Sequence, residues 1–279
     1  MINLVVALPA EARPLMARYR LTDKTTLGGF RIYRNAGMSL IISGPGKIAA
    51  AAATALLAGC NAAGEQAAWL NIGIAGHATH ATGESLLVHR ITDHATGKSW
   101  YPPQLFDLAT TTASLLTVDR PEESYQQEVA YDMEASGYYA VAARFSSTEL
   151  VQCFKVVSDN REHSSAAITA ESCAQLVTQS LDEIDPLLDA LSALARDQDR
   201  WHAAPAGLEQ LARQWHFTVS QQHQLAELAR RWKVLVPDQP LWLNAFDNSK
   251  KAAEVLQCLQ QHLDALAPGP LQAIHEPRV

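Results

Sequence analysis

Tyr131-Asp132-Met133-Glu134-Ala135, followed downstream by Val156-Val157-Ser158-Asp159, are the stretches on which the reading of this chain turns. In the first, a carboxylate opens a helix-like segment, predicted over residues 132–145. In the second, a carboxylate ends an apolar, strand-like run, predicted over 150–157. Acid–base chemistry on a small molecule needs carboxyl groups on different rigid elements, aimed at one pocket. A third carboxyl, Glu11, sits just past the first apolar run, Leu4-Val5-Val6-Ala7-Leu8. Three carboxyls, each just past a strand or at a helix start, describe an active site.

Outward from these stretches, strands and helices alternate. Residues 2–8 read as a buried strand, and a helix follows over 10–19 with Pro14 near its first turn, where proline is tolerated. Residues 30–34 and 38–43 read as a hairpin around Asn35-Ala36-Gly37. Ser43-Gly44-Pro45-Gly46-Lys47 is a tight turn before an Ala-rich helix over 48–58. Further strands are predicted over 67–74, 85–91 and 115–118. The polar stretch 96–104, with Trp100-Tyr101-Pro102-Pro103, reads as a loop that rims the pocket or meets another subunit. This alternation argues an α/β domain with a central sheet.

Near residue 185 the pattern changes. Leu187-Leu188-Leu191-Leu194, Leu208-Leu211-Trp215, Leu225-Leu228-Ala229-Trp232 and Ala252-Val255-Leu256-Leu259-Leu263 each fall on one helical face. The expected division is therefore a domain over 1–184 and a helical extension over 185–279, with a loose tail from Pro268 onward.

Composition narrows the classes. The 279 residues are 48% hydrophobic and 18% charged, which fits a globular chain with a sizeable core. A net charge of −7 argues against nucleic acid or an anionic membrane surface as the main partner. Cys60, Cys153, Cys173 and Cys258 are scattered without CxxC spacing and read as reduced thiols. His77 and His80 do not make a metal pattern, and no metal is expected. No leader-like or membrane-spanning run is visible, so the expected compartment is the cytoplasm.

Four segments, in order, resemble the nucleoside phosphorylase superfamily and within it the methylthioadenosine/S-adenosylhomocysteine nucleosidase-like branch. They are Ala7-Leu8-Pro9-Ala10-Glu11 with its preceding strand; Ser43-Gly44-Pro45-Gly46-Lys47-Ile48-Ala49-Ala50; Asn71-Ile72-Gly73-Ile74-Ala75-Gly76; and Asp132-Met133-Glu134-Ala135 with Val157-Ser158-Asp159. The resemblance spans about residues 1–180 and implies a three-layer α/β/α domain with a central mixed sheet. It implies Glu11 as the carboxylate that activates water and Asp159 as the acid at the departing purine. Met133 and Glu134 would hold the ribose. Ser43, Gly44 and Gly46 would line the nucleophile's side, and Ala75, Gly76 and Ser158 the floor beneath sugar and base. No cofactor is implied, beyond phosphate as a co-substrate if the enzyme is a phosphorylase. The family often forms dimers, so a homodimer is expected.

The chain departs from the family in places. The segment before Met133 is short where an aromatic residue usually stacks on the base, leaving Tyr125 and Tyr131 as the aromatics there. His77 stands where a second glycine is usual.

The chemistry fits the same residues. Breaking an N-glycosidic bond creates a cationic sugar, which a nearby carboxylate stabilises. The base leaves poorly as an anion, so an acid lowers the barrier. Water on the opposite face needs a base, as in glycoside hydrolysis. The plainer readings make Glu11 a helix-terminal charge, Glu134 a solvated helix charge and Asp159 a helix cap. The lead function is a nucleosidase. Phosphorolysis, with Arg13 and Arg34 as phosphate ligands, is the alternative. A second alternative is a non-catalytic nucleoside-binding module whose C-terminal helices dock a protein partner.

Overall fold

In the computed structural model, residues 1–60, 67–237, 239–241, 246 and 249–266 are described. In chain order the elements are β1 (Ile2–Val6), α1 (Pro9–Tyr19), β2 (Asp23–Leu27), β3 (Phe30–Arg34), β4 (Met38–Ile42), α2 (Lys47–Gly59), β5 (Ala68–His77), β6 (Ser85–Asp93), β7 (Ser99–Trp100), β8 (Thr111–Thr117), β9 (Ala130–Asp132), α3 (Ala135–Ala142), β10 (Val151–Asp159), α4 (Ala170–Gln179) and α5 (Leu181–His202). Three further helices follow: α6 (Leu208–Gln214), α7 (Val219–Leu235) and α8 (Ala252–Leu266). The chain divides into two compact units between Arg196 and Asp197.

In the first unit, strand alternation sends side chains to two cores. Leu4, Leu40, Leu70 and Phe154 meet α1, α4 and the first half of α5. Val5, Ile41, Trp69 and Cys153 meet α2 and α3. The result is the three-layer α/β/α arrangement around a mixed sheet. Strands β4, β1, β5 and β10 run parallel to one another, in that order across the sheet. Beyond β4, β3 and β2 continue as an antiparallel wing. On the other side the sheet closes on itself: β10 pairs with β6, β6 with β8, β8 with β9, and β9 returns to β5.

Helices α2 and α3 pack at very close range. A Cβ on Gly137 would lie 1.9 Å from the Lys47 carbonyl oxygen, so only glycine fits there. The second unit has its own core, with Leu211, Trp215, Leu228, Trp232, Leu256 and Leu263 buried together. Trp215 and Trp232 donate their indole N–H groups to the carbonyls of Ser249 and Gln239.

Four expectations change. The helix predicted from residue 132 starts at Ala135, because Asp132 ends β9 and its Oδ2 accepts the Ala135 N–H at 2.8 Å. The sequence reading missed β2, whose five residues are all exposed and polar apart from Leu27. The leucine stripe at 187–194 packs into the first unit, which runs to Arg196 and so past the expected boundary at 184/185. The loop expected at 96–104 contains β7, where Trp100 packs against the core. The tail expected from Pro268 lies outside the described residues. No helix among the described residues is long and apolar enough to cross a membrane.

Candidate active site

Parallel strands β1, β5 and β10 end on the same side of the sheet, the side where α/β sheets bind ligands. A cavity of about 440 Å³ opens there. Glu11, Met133, Glu134 and Asp159 all line it, as do Ala75, Gly76 and Ser158. Ser43, Gly44 and Gly46 do not. Their turn reaches the cavity through Pro45 alone.

Glu11 is buried on the first turn of α1. Its Oε2 accepts the N–H groups of Ala7 (3.0 Å) and Leu8 (2.7 Å), and its Oε1 accepts that of Ile74 (3.0 Å). Burial raises its pKa, against the pull of those N–H donors and the nearby Lys155. The carboxylate thus belongs to the helix start and to the cavity at once. Gly73 makes room for it: a Cβ there would stand 2.8 Å from Glu11 Oε1.

Glu134 precedes α3. Its Oε1 accepts the Gly46 N–H at 2.7 Å. Burial and the neighbouring Asp132 push its pKa up to about 7, while Lys155 and the Gly46 N–H pull the other way. It is a buried cavity group and not a solvated helix charge.

Asp132 is the structural partner in this motif. Besides Ala135 N–H, it accepts from Thr117 Oγ1 at 2.8 Å and pairs with Lys155 Nζ at 2.9 Å. Lys155 is fully buried in β10. Burial alone would lower its pKa, but Asp132, Cys153 and Glu134 together outweigh this and raise it, so the lysine stays charged. The sequence reading did not single out Lys155. The signal was there: a lone lysine inside the apolar run 150–157 must find a partner once buried.

Asp159 ends β10, where the ladder shifts register so that Asp159 pairs with Gly76. Ser158 Oγ donates to one of its carboxyl oxygens and Tyr125 Oη to the other. Tyr131 lines the cavity, and Tyr125 packs edge-on against it with centroids 5.8 Å apart. Lys47 turns away, bridging Asp93 and Asp119 at 2.9 Å each. Trp100, Tyr101, Pro102 and Pro103 do not line the cavity, so the expected rim is formed instead by Pro121, Glu122 and Glu123 with Ser165, Ala166 and Ile168. His77 is buried, and its Nδ1 accepts the N–H groups of Thr79 and His80 (3.2 Å each), so it braces its own loop.

No family model matches the sequence, and neither does any curated protein. Solved structures match over nearly the whole of their own length. A Helicobacter pylori MTAN mutant holding 5'-methylthioadenosine aligns at TM-score 0.57 and 13% identity, over 68% of this chain and 98% of its own. The 5'-methylthioadenosine/S-adenosylhomocysteine nucleosidase of Neisseria meningitidis, with methylthio-immucillin-A, aligns at TM-score 0.54 and 19% identity, over 67% and 98%. Futalosine hydrolase of Helicobacter pylori aligns at TM-score 0.55 and 14% identity, over 68% and 97%.

The chain shares the fold of these MTAN and futalosine hydrolase structures. About a third of this chain is left uncovered by these structures. That shared fold accounts for the sheet and the cavity at its strand ends. The chemistry depends on the residues that line that cavity.

Proposed function

We propose that the protein is a nucleosidase that cleaves the N-glycosidic bond of a nucleoside, or nucleoside-like metabolite, with water. One observation carries the choice of water over phosphate. Among the described residues, six carboxylic residues line the cavity (Glu11, Glu122, Glu123, Asp132, Glu134 and Asp159), and no Arg, Lys or His does. The two arginines considered as phosphate ligands, Arg13 and Arg34, are not in the lining. Phosphate dianions are repelled by such a wall, whereas water is not.

The reaction then runs as follows. The glycosidic C–N bond breaks and its electron pair leaves with the base. Glu134, beside Met133, accepts from the sugar hydroxyls and with Glu11 offsets the positive charge on the ring. Asp159 delivers a proton to the base nitrogen. Water attacks the anomeric carbon and gives its proton to Glu11, whose raised pKa makes it a stronger base than an exposed carboxylate. Solvent returns both carboxyls to their starting states. The purine class of base and a homodimeric assembly are part of this proposal, and both rest on the four resembling motifs.

The test is base release from a nucleoside panel, followed by chromatography with and without phosphate. Free base and free sugar in both buffers are expected. Release that requires phosphate and yields a sugar 1-phosphate would overturn the role of water.

A further inference from the structure

We propose that Tyr125 is a positioning residue for the acid: its hydroxyl fixes the Asp159 carboxyl so that the face turned to the cavity meets the ring nitrogen of the departing base. This rests on the nucleosidase reading and adds a residue to it.

Four observations converge. First, Tyr125 Oη donates to Asp159 Oδ2 while Ser158 Oγ donates to Oδ1. A carboxyl group turns easily about its terminal torsion. Donors on both oxygens fix its plane. Second, Tyr125 is itself buried, at 2% exposure, and does not line the cavity, whereas Asp159 does. The tyrosine therefore acts through the aspartate.

Third, room has been made for this contact. A Cβ on Gly76 would lie 2.8 Å from both Asp159 Oδ2 and Tyr125 Cε1, so any larger residue would push the pair apart. Fourth, Tyr125 has φ 44°, left-handed backbone that a non-glycine residue adopts only when its surroundings enforce it. Those surroundings are visible. Glu122 Oε1 accepts the Tyr125 N–H at 3.2 Å, and Arg161 donates to the Tyr125 carbonyl at 2.6 Å. A tyrosine needed only to fill the core beside Tyr131 and Val118 requires none of this hydroxyl geometry.

The experiment compares leaving groups. Purine nucleosides need a proton on the departing base, whereas 4-nitrophenyl β-ribofuranoside releases a stable phenolate that does not. Tyr125→Phe keeps the ring and removes the donor. Its kcat/KM on the nucleoside should fall about 10²-fold, the cost of a misplaced catalytic group, with the nitrophenyl riboside nearly unchanged. An equal fall on both substrates, or no fall on either, would overturn the positioning role. Should the variant not fold, 3-fluorotyrosine at position 125 keeps shape and hydroxyl while changing donor strength. It should alter the nucleoside rate alone, and an unaltered ratio of the two rates would sink the proposal. Absence of wild-type turnover on every nucleoside would instead sink the nucleosidase reading.

Discussion

Gly46 gives its backbone N–H to Glu134 Oε1 at 2.7 Å, tying the turn before α2 to the residue before α3. Gly46 can do so because its φ of 98° points the amide across the gap. The glycine turn thus serves the cavity indirectly: it holds a carboxylate and leaves only Pro45 in the wall.

Replacing Glu134 by Gln should change how stability depends on pH. Its pKa in the folded protein, about 7, lies above its ordinary value of 4.5. The protonated folded form is therefore favoured. The associated stability is fully present below pH 4.5 and is lost as pH rises through 7. The loss is on the order of 3 kcal/mol. An amide does not ionise, so Glu134→Gln should lose less stability than wild type between pH 4.5 and 8 in urea unfolding. Parallel curves would count against a buried, raised carboxyl.

Glu11→Gln should cut base release by about 10²–10⁴-fold, the usual worth of a general base. Both of its oxygens accept backbone N–H groups. The new amide NH₂ must face at least one of them, so a stability loss of about 1–3 kcal/mol should accompany the kinetic one. Steady-state kinetics with thermal unfolding separates the two effects.

Lys155→Met should destabilise by about 3–5 kcal/mol, because Asp132 would remain buried with its cation gone. Adding Asp132→Asn should recover much of that loss, since a neutral amide needs no counter-charge. A double-mutant cycle by chemical denaturation measures it. Additive losses would mean that the pair is not coupled.

Gly137→Ala should cost at least about 2 kcal/mol by overpacking, although alanine is the better helix former. The new Cβ would meet the Lys47 carbonyl, and rigid backbone has to move. A rise in Tm would show that α2 and α3 are not in such close contact.

Much of this was legible in the chain. The apolar run at 2–8, the hairpin around Asn35-Ala36-Gly37 and the Ser43–Lys47 turn announce themselves by pattern, because they bury apolar faces or demand glycine. Edge strand β2 gave no such signal, since an exposed edge needs no apolar alternation. Asp132 read as a helix opener because a carboxylate near a helix start fits the cap pattern. That it also pairs with Lys155 and Thr117 depends on partners far away in sequence. Tyr125 could be named as an aromatic in the right segment, but its contact with Asp159 depends on a left-handed turn that no local pattern predicts. The stripe at 187–194 was correctly seen as helical, yet periodicity does not say which core a helix joins.

The closure of β5, β10, β6, β8 and β9 into a ring bears on how this site can adapt. Gly76 is the ladder partner of Tyr131 on one side and of Asp159 on the other. To widen the base end, the ladder itself must break, and a ring offers no free edge from which to unzip. Adaptation to different substrates is therefore left to the connections at 118–129 and 160–168, which supply Pro121, Glu122, Glu123 and Ile168 to the wall. Amides of those two connections should exchange with solvent deuterium far sooner than those of Gly76 and Val157. On the nucleosidase reading, such a barrel can trade one nucleoside for another by editing the wall positions of two loops, provided that Tyr125, which sits in the first of them and holds Asp159, is kept.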